Sequence, residues 1–156
     1  PMQAGKGYSI TIRNPRLQLR HSMYLAEGRV ALAPYEGALR VAGTMELSGI
    51  NTNFYEERVA GIRRSTYRYL THWEEGDEQQ VWVGMRPLLP DGLPAIGRAP
   101  TLPNLYVASG HAMLGITLGP TTAVIIADLM TTGQTSVDLR PFAPGRFDRR
   151  YAQKMA

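Results

Sequence analysis

GHAMLGITLGPTTAVIIADLM, residues 110–130, decides how this chain is read. Gly110, Gly115 and Gly119 lead into an apolar run that ends at Gly133. The pattern predicts a strand-to-helix connection, with the helix starting near Gly119-Pro120. Pro120 suits the first helical position, where its missing N–H costs nothing. Val124, Ile125, Ile126, Leu129 and Met130 cover most of the circumference, so the helix is expected to be buried, with Gly133 as its C-cap. The first N–H groups of a helix lack partners inside it, and its dipole favours negative charge there. Glycines at such a start let a planar or anionic group approach the backbone. Close packing of strand against helix is the alternative, and spacing alone leans slightly towards it.

Upstream, NLYVAS (104–109) reads as a short buried-type strand. RPLLPDGLPAIGRAP (86–100) carries four prolines and two glycines in fifteen residues, so a long loop is expected there. Long structured loops are more often functional than idle. Asp91, between Pro90 and Gly92, reads as a turn residue. QQVWVGM (79–85) has strand character, GKGYSITI (5–12) reads as a turn then a strand, and residues 22–47 read as a strand meander. Tyr55, Val59, Ile62, Thr66 and Tyr69 follow helical spacing, and Asn53 with Glu56 resembles a capping box. Arg58, Arg63, Arg64 and Arg68 fall off that stripe and read as a solvated face rather than an anion site. The fold expected is α+β: a mixed, mostly antiparallel sheet with two main helices, near 53–71 and 119–132. Val137 to Phe147 reads as an irregular strand and loop.

With 156 residues, the chain is expected to form one domain. Pro1 and Met2 run directly into a strand, so the sequence is expected to begin inside a longer gene product or at a processed terminus. There is no cysteine, which excludes disulfides, zinc–thiolate sites and a cysteine nucleophile. No metal-ligand set is read. The net charge of +4 owes much to Arg146, Arg149, Arg150 and Lys154, a basic tail over 146–156. Without an aromatic-plus-basic stripe it does not point to nucleic acid. No apolar run is long enough to span a bilayer.

A dinucleotide normally sits on a G-x-G-x-x-G turn between strand and helix. Gly5 and Gly7 supply G-x-G, but Ile10 stands where the third glycine belongs, and a strand follows. A dinucleotide pyrophosphate therefore has no site of that kind in this sequence.

One ordered series of motifs is recognisable: Trp82-Val83-Gly84-Met85-Arg86-Pro87, Pro90 to Gly97, Asn104 to Ala108, and Gly110-His111 through Leu118. It resembles the C-terminal part of FAD-dependent amino-acid oxidoreductases of the D-amino-acid oxidase superfamily, and most of all the D-amino-acid dehydrogenase group. Gly5 to Ile10 and Arg40 to Leu47 are similar to that family's substrate-domain strands. The resemblance covers nearly the whole chain.

It implies oxidation of an amino acid's Cα–N bond by hydride transfer to FAD, giving an imino acid that hydrolyses to a keto acid and ammonia. It implies a substrate half over 1–80, a flavin and substrate loop with a cap helix over 81–145, and a partner: an N-terminal FAD-binding domain or subunit. Arg86 matches the arginine that clamps the substrate carboxylate, a task for which two parallel N–H donors suit. Gly110, His111, Gly115, Ile116, Thr117 and Leu118 match the segment along the flavin ring, where backbone donors would stabilise charge on the reduced ring. His111 is read as structural, holding the loop or touching the ring. Tyr8 and Tyr67 either border the substrate pocket or belong to the core. No side chain is assigned as catalytic. Ala112 stands where the family often has glycine. Met113 stands where glycine oxidases carry a second arginine, which implies a more apolar substrate pocket and leaves D-alanine-like substrates, hydroxyproline and N-methyl amino acids open. The expected location is cytoplasmic, with peripheral contact at the inner membrane. An unpaired apolar face predicts self-association. The chain alone is expected to be incomplete and inactive; the competing readings are a carboxylate-binding module without redox chemistry or an inactive fragment and, more weakly, a basic nucleic-acid binder.

Overall fold

Apolar residues at every second position, Tyr8, Ile10 and Ile12, turn one face of β1 (Gln3–Arg13) into a core. The computed structural model describes residues 1–148. β2 (Met23–Leu25), β3 (Val30–Tyr35) and β4 (Ala38–Glu46) follow, then helix α1 (Glu56–Tyr67) and β5 (Glu78–Leu88). These strands form one sheet in the order β2-β3-β4-β1-β5. β3 and β4 meet through Glu36-Gly37, both at positive φ (46° and 77°), the two-residue turn whose twist matches antiparallel strands. β6 (Ala95–Arg98) and β7 (Tyr106–Ser109) form a separate antiparallel ribbon, followed by helix α2 (Gly115–Thr131) and a 3-10 turn at Arg140–Phe142. The architecture is the expected mixed α/β arrangement, mostly antiparallel with two main helices.

The chain divides into two compact units: Gly5–Met85, and Arg86 onward with Pro1–Ala4. The first unit closes its own core. Ile10, Ile12, Leu32, Leu39 and Val41 from the sheet pack with Val59 and Ile62 of α1 and with Trp73. Gly43 lets the helix come close, since a Cβ there would sit 3.0 Å from Ile62 Cγ1.

Strand β4 is irregular where it matters. Lys6 pairs with Glu46 and Tyr8 with Gly43, so Thr44 and Met45 together face the single residue Gly7. Thr44 takes φ 71°, unusual for a β-branched residue. Simple alternation from Leu39, Val41 and Gly43 would turn Met45 inward. The bulge turns Glu46 inward instead and leaves Met45 exposed. There Glu46 pairs with buried Lys6 at 2.9 Å and accepts the Tyr8 hydroxyl at 2.9 Å. Lys6 also donates to Asn51 Oδ1 (2.9 Å) and to the Asn53 carbonyl (2.8 Å), holding the segment after β4. The Ser48 hydroxyl, Lys6 and Tyr8 hold the Glu46 pKa down at about 2. Burial pulls the Lys6 ammonium down, but Glu46 outweighs it and the pKa ends raised.

Several elements differ from expectation. β1 runs straight through Gly5 and Gly7 rather than turning there. α1 starts at Glu56 after Tyr55, without a side-chain cap; Asn53 lies outside the helix start and its N–H donates to Asn51 Oδ1 (3.1 Å) rather than to Glu56, so the capping box does not form. Of its arginines, Arg63 pairs with Glu74 and Gln79, and Arg58 reaches Glu46 at 3.5 Å. β5 continues through Arg86 and Pro87 because it is an edge strand, where a missing N–H is tolerated. Ala95 to Arg98, expected as loop, is the strand β6. β7 is only partly buried, and residues 137–147 hold a 3-10 turn but no strand.

Candidate functional site

The second unit brings Arg86, the proline-rich segment and the glycine-rich turn together. Beyond Pro87 the chain turns at Pro90-Asp91-Gly92, where Gly92 N–H donates to the Leu89 carbonyl (3.0 Å) and Leu93 N–H to Asp91 Oδ1 (3.1 Å). Asp91 is thus the expected turn residue, with a second task. Arg146 grips both its oxygens, at 2.7 and 2.9 Å, and donates to the Leu93 carbonyl at 2.8 Å. Those guanidinium hydrogen bonds hold the Asp91 pKa at about 2. Arg146 was expected in a solvated tail; instead it clasps the proline-rich turn. Arg149, Arg150 and Lys154 lie outside the described residues.

The turn between β7 and α2 is tied back to the end of β5. Ala112 N–H donates to the Pro87 carbonyl at 3.1 Å, next to Arg86. Ala112 adopts φ 49°, a left-handed conformation that costs a residue with a Cβ about 1–2 kcal/mol. Gly110 is also left-handed (φ 83°), and a Cβ there would lie 2.5 Å from Leu89 Cδ1. Gly110 therefore serves close packing.

Gly115 and Gly119 do not. A Cβ at Gly115 would meet only His111 Cβ, at 3.9 Å, and one at Gly119 would meet nothing within 4 Å. The space beside them is open. Alongside runs an apolar groove of about 510 Å³ lined by Ala108, His111, Thr122, Ala123, Ile126 and Met130, with Gly119 at its side. His111 Nε2 lies 3.0 Å from Thr122 Oγ1, and Leu114 N–H donates to the His111 carbonyl at 2.8 Å. His111 thus bridges the turn and α2 through its carbonyl and its ring.

α2 starts four residues before the expected point, and Pro120 lies inside it. A proline there removes the N–H that would bond the Ile116 carbonyl. Ile116 is 96% exposed, so water can serve that carbonyl. No side chain caps α2 and its first turn has no acidic residue, so the N–H groups at the Gly115 end are open to an acceptor. The helix is not buried as expected: only Thr122 and Ile125 are. Val124, Met130 and Leu114 are exposed because the described residues offer nothing to cover them. Gly133 ends the helix at φ 76°, as a left-handed cap.

The named site residues fall in three settings. Gly110, His111, Gly115, Ile116, Thr117 and Leu118 form the turn and first turn of α2. Arg86 is half-buried, and burial lowers its guanidinium pKa, while arginine stays charged at any ordinary pH. Met113 is exposed on the same turn. Tyr8 lies in the other unit and takes its core alternative: 1% exposed, packed at a tilt against Phe54 and bonded to Glu46. Tyr67 donates to Glu74 Oε2 at 2.7 Å and packs on Trp73. The sequence reading missed Thr122, whose one hydroxyl gives no pattern in an apolar run, and the buried Lys6–Glu46 pair. The signal for that pair was a lysine between two glycines in an otherwise apolar strand. Among the described residues no cluster suits a metal ion, and no helix is long and apolar enough to cross a membrane.

The donor set suits a planar heteroaromatic group with oxygen acceptors on its edge: open space beside two glycines, uncapped backbone donors and a positive helix end. The profile of the FAD dependent oxidoreductase family (DAO) matches residues 1–129. The chain is 36% identical over 137 residues to the D-amino acid dehydrogenase of Vibrio cholerae, covering 86% of this chain and 32% of that protein. It is 30% identical over 150 residues to the D-amino-acid oxidase of Bradyrhizobium diazoefficiens, covering 94% and 36%. Glycine oxidase from Geobacillus kaustophilus superposes with a TM-score of 0.83 at 28% identity, over 91% of this chain and 38% of that one. The chain spans about a third of the length of these curated relatives.

Proposed function

The chain belongs to the FAD-dependent oxidoreductase family, and from that premise we propose that it supplies the substrate side and flavin cap of an amino-acid dehydrogenase or oxidase. The dinucleotide-binding part comes from an N-terminal domain or a separate subunit. The single observation that carries this reading is the α2 start: uncapped, flanked by the open glycines Gly115 and Gly119, and hydrogen-bonded through Ala112 to the strand end that bears Arg86.

FAD, when bound, supplies the two-electron acceptor for oxidation of the amino acid Cα–N bond. Everything else is positioning. Arg86 holds the substrate carboxylate with its paired N–H donors, which orients the Cα–N bond. Half-burial strengthens that contact, because less water competes for the carboxylate. Gly115 to Thr117 present backbone donors and a positive helix end to the ring edge on which charge grows, while Leu118 N–H closes the first turn on the Leu114 carbonyl (2.8 Å). Gly110 and His111 keep that turn in place. Met113 offers an apolar wall where a second arginine would suit a smaller substrate, and this favours D-amino acids with a side chain over glycine. The imino acid product then hydrolyses in water to a keto acid and ammonia. Location in the cytoplasm, with peripheral contact at the inner membrane, is part of the same reading.

The test is the visible spectrum of the protein reconstituted with FAD and a dinucleotide-binding half. Flavin bands that bleach anaerobically with D-alanine support the reading, and Arg86→Ala then lowers kcat/KM by about a hundredfold or more, as expected for a lost charge-assisted pair. Absence of flavin binding in every combination leaves a carboxylate-binding module as the better account.

A further inference from the structure

One hydrogen bond along the α2 groove has a direction that its surroundings determine. Thr122 is 7% exposed, and its Oγ1 lies 3.0 Å from His111 Nε2. Thr66 in α1 and Thr131 in α2 turn their hydroxyls back onto the carbonyls of Ile62 and Ala127, each at 2.8 Å. Thr122 makes no such bond among the described residues. A buried hydroxyl needs an acceptor, and Nε2 is the one within reach. With its lone pair so engaged, Nε2 carries no proton, and the imidazole proton sits on Nδ1. His111 packs beside the first turn of α2, where a Cβ on Gly115 would lie 3.9 Å from His111 Cβ.

We propose that Thr122 is a positioning residue that holds His111 in the Nδ1-protonated tautomer, so that at the start of α2 the ring is a hydrogen-bond donor and not a base. The ligand class that takes such a donor is an electron-rich heteroaromatic edge with carbonyl oxygens or ring nitrogens. That second half rests on the reading that a flavin ring lies at this turn; the tautomer does not. The proposal also removes His111 as a general base through Nε2, since that lone pair is already occupied.

The experiment is long-range proton–nitrogen NMR of the full protein labelled at histidine nitrogen, with the His111 signal assigned by its loss in His111→Gln. The wild type is expected to show a protonated Nδ1 and a bare Nε2. Thr122→Val keeps the shape and removes the hydroxyl, so the signal moves towards the Nε2-protonated form that free side chains prefer. Thr122→Ser restores the wild-type pattern. An Nε2-protonated ring in the wild type overturns the proposal without reference to any variant. FAD affinity, read by fluorescence titration of the reconstituted protein, is expected to weaken about fivefold in Thr122→Val and to recover in Thr122→Ser. The expected tautomer with equal FAD affinity in all three proteins overturns the ligand-facing role. No FAD binding even by the wild type sinks the flavin reading, while the NMR still decides the tautomer.

Discussion

Ile10 and Ile116 are the same residue in opposite circumstances. Ile10 is fully buried in the sheet-and-helix core between Gly5 and Met85, and Ile116 is 96% exposed on the first turn of α2. In the first unit the apolar pattern of the strands finds its complement nearby: β1, β3, β4 and α1 cover one another. In the second, a 17-residue helix with apolar side chains on most sides buries two residues. Burying a side chain such as isoleucine contributes about 1.5–3 kcal/mol, so the two units draw very different stability from similar composition. The difference teaches that an apolar circumference does not by itself make a core: among the described residues α2 buries only Thr122 and Ile125.

That contrast can be broken by measurement. Ile10→Ala is expected to cost about 2–5 kcal/mol in urea unfolding, the range for emptying a packed core site. Acid should find the Glu46 network next. Because its carboxylate pKa is depressed, its contribution is complete above the ordinary value of 4.5 and is lost as the pH falls through about 2. Glu46→Gln should flatten that slope in denaturant midpoints taken against pH; an unchanged slope would place the acid sensitivity elsewhere. Ala112→Gly relieves a left-handed alanine, and after the entropy of glycine is set against it a gain of about 0.5 kcal/mol remains. Smallest of all, Ile116→Ala should change the stability of this chain by less than about 0.5 kcal/mol. A cost near that of Ile10→Ala would show Ile116 covered in solution, by a second copy if the effect grows with protein concentration.

Much of the first unit was legible because period-two alternation and the Glu36-Gly37 turn act over a few residues. Its bulge was not: nothing in Gly43-Thr44-Met45 announces a threonine in a glycine conformation. The core role of Trp73 was equally hidden, since its neighbours follow no period. In the second unit the glycines divide: Gly110 is closely packed against Leu89, whereas Gly115 and Gly119 border open space, a difference that their spacing does not reveal. Burial of α2 was misread because an apolar circumference says that a helix will be covered, not by what. Pro120 suits a helix start by its own chemistry, yet α2 begins at Gly115, because an exposed turn tolerates proline inside a helix. Arg146 looked like tail charge, since its partner Asp91 lies 55 positions away.

The bulge opposite Gly7 also makes chain length a variable in this fold. With Thr44 deleted, Gly7 would face Met45 alone, and the ladder from Lys6–Glu46 to Tyr8–Gly43 would run without a shift. The ion pair would keep its place and the left-handed threonine would be gone. A deletion two or three residues earlier, at Val41 or Ala42, would instead exchange the inner and outer faces of the rest of the strand. One position in β4 thus behaves as a spacer, and its neighbours behave as a reading frame.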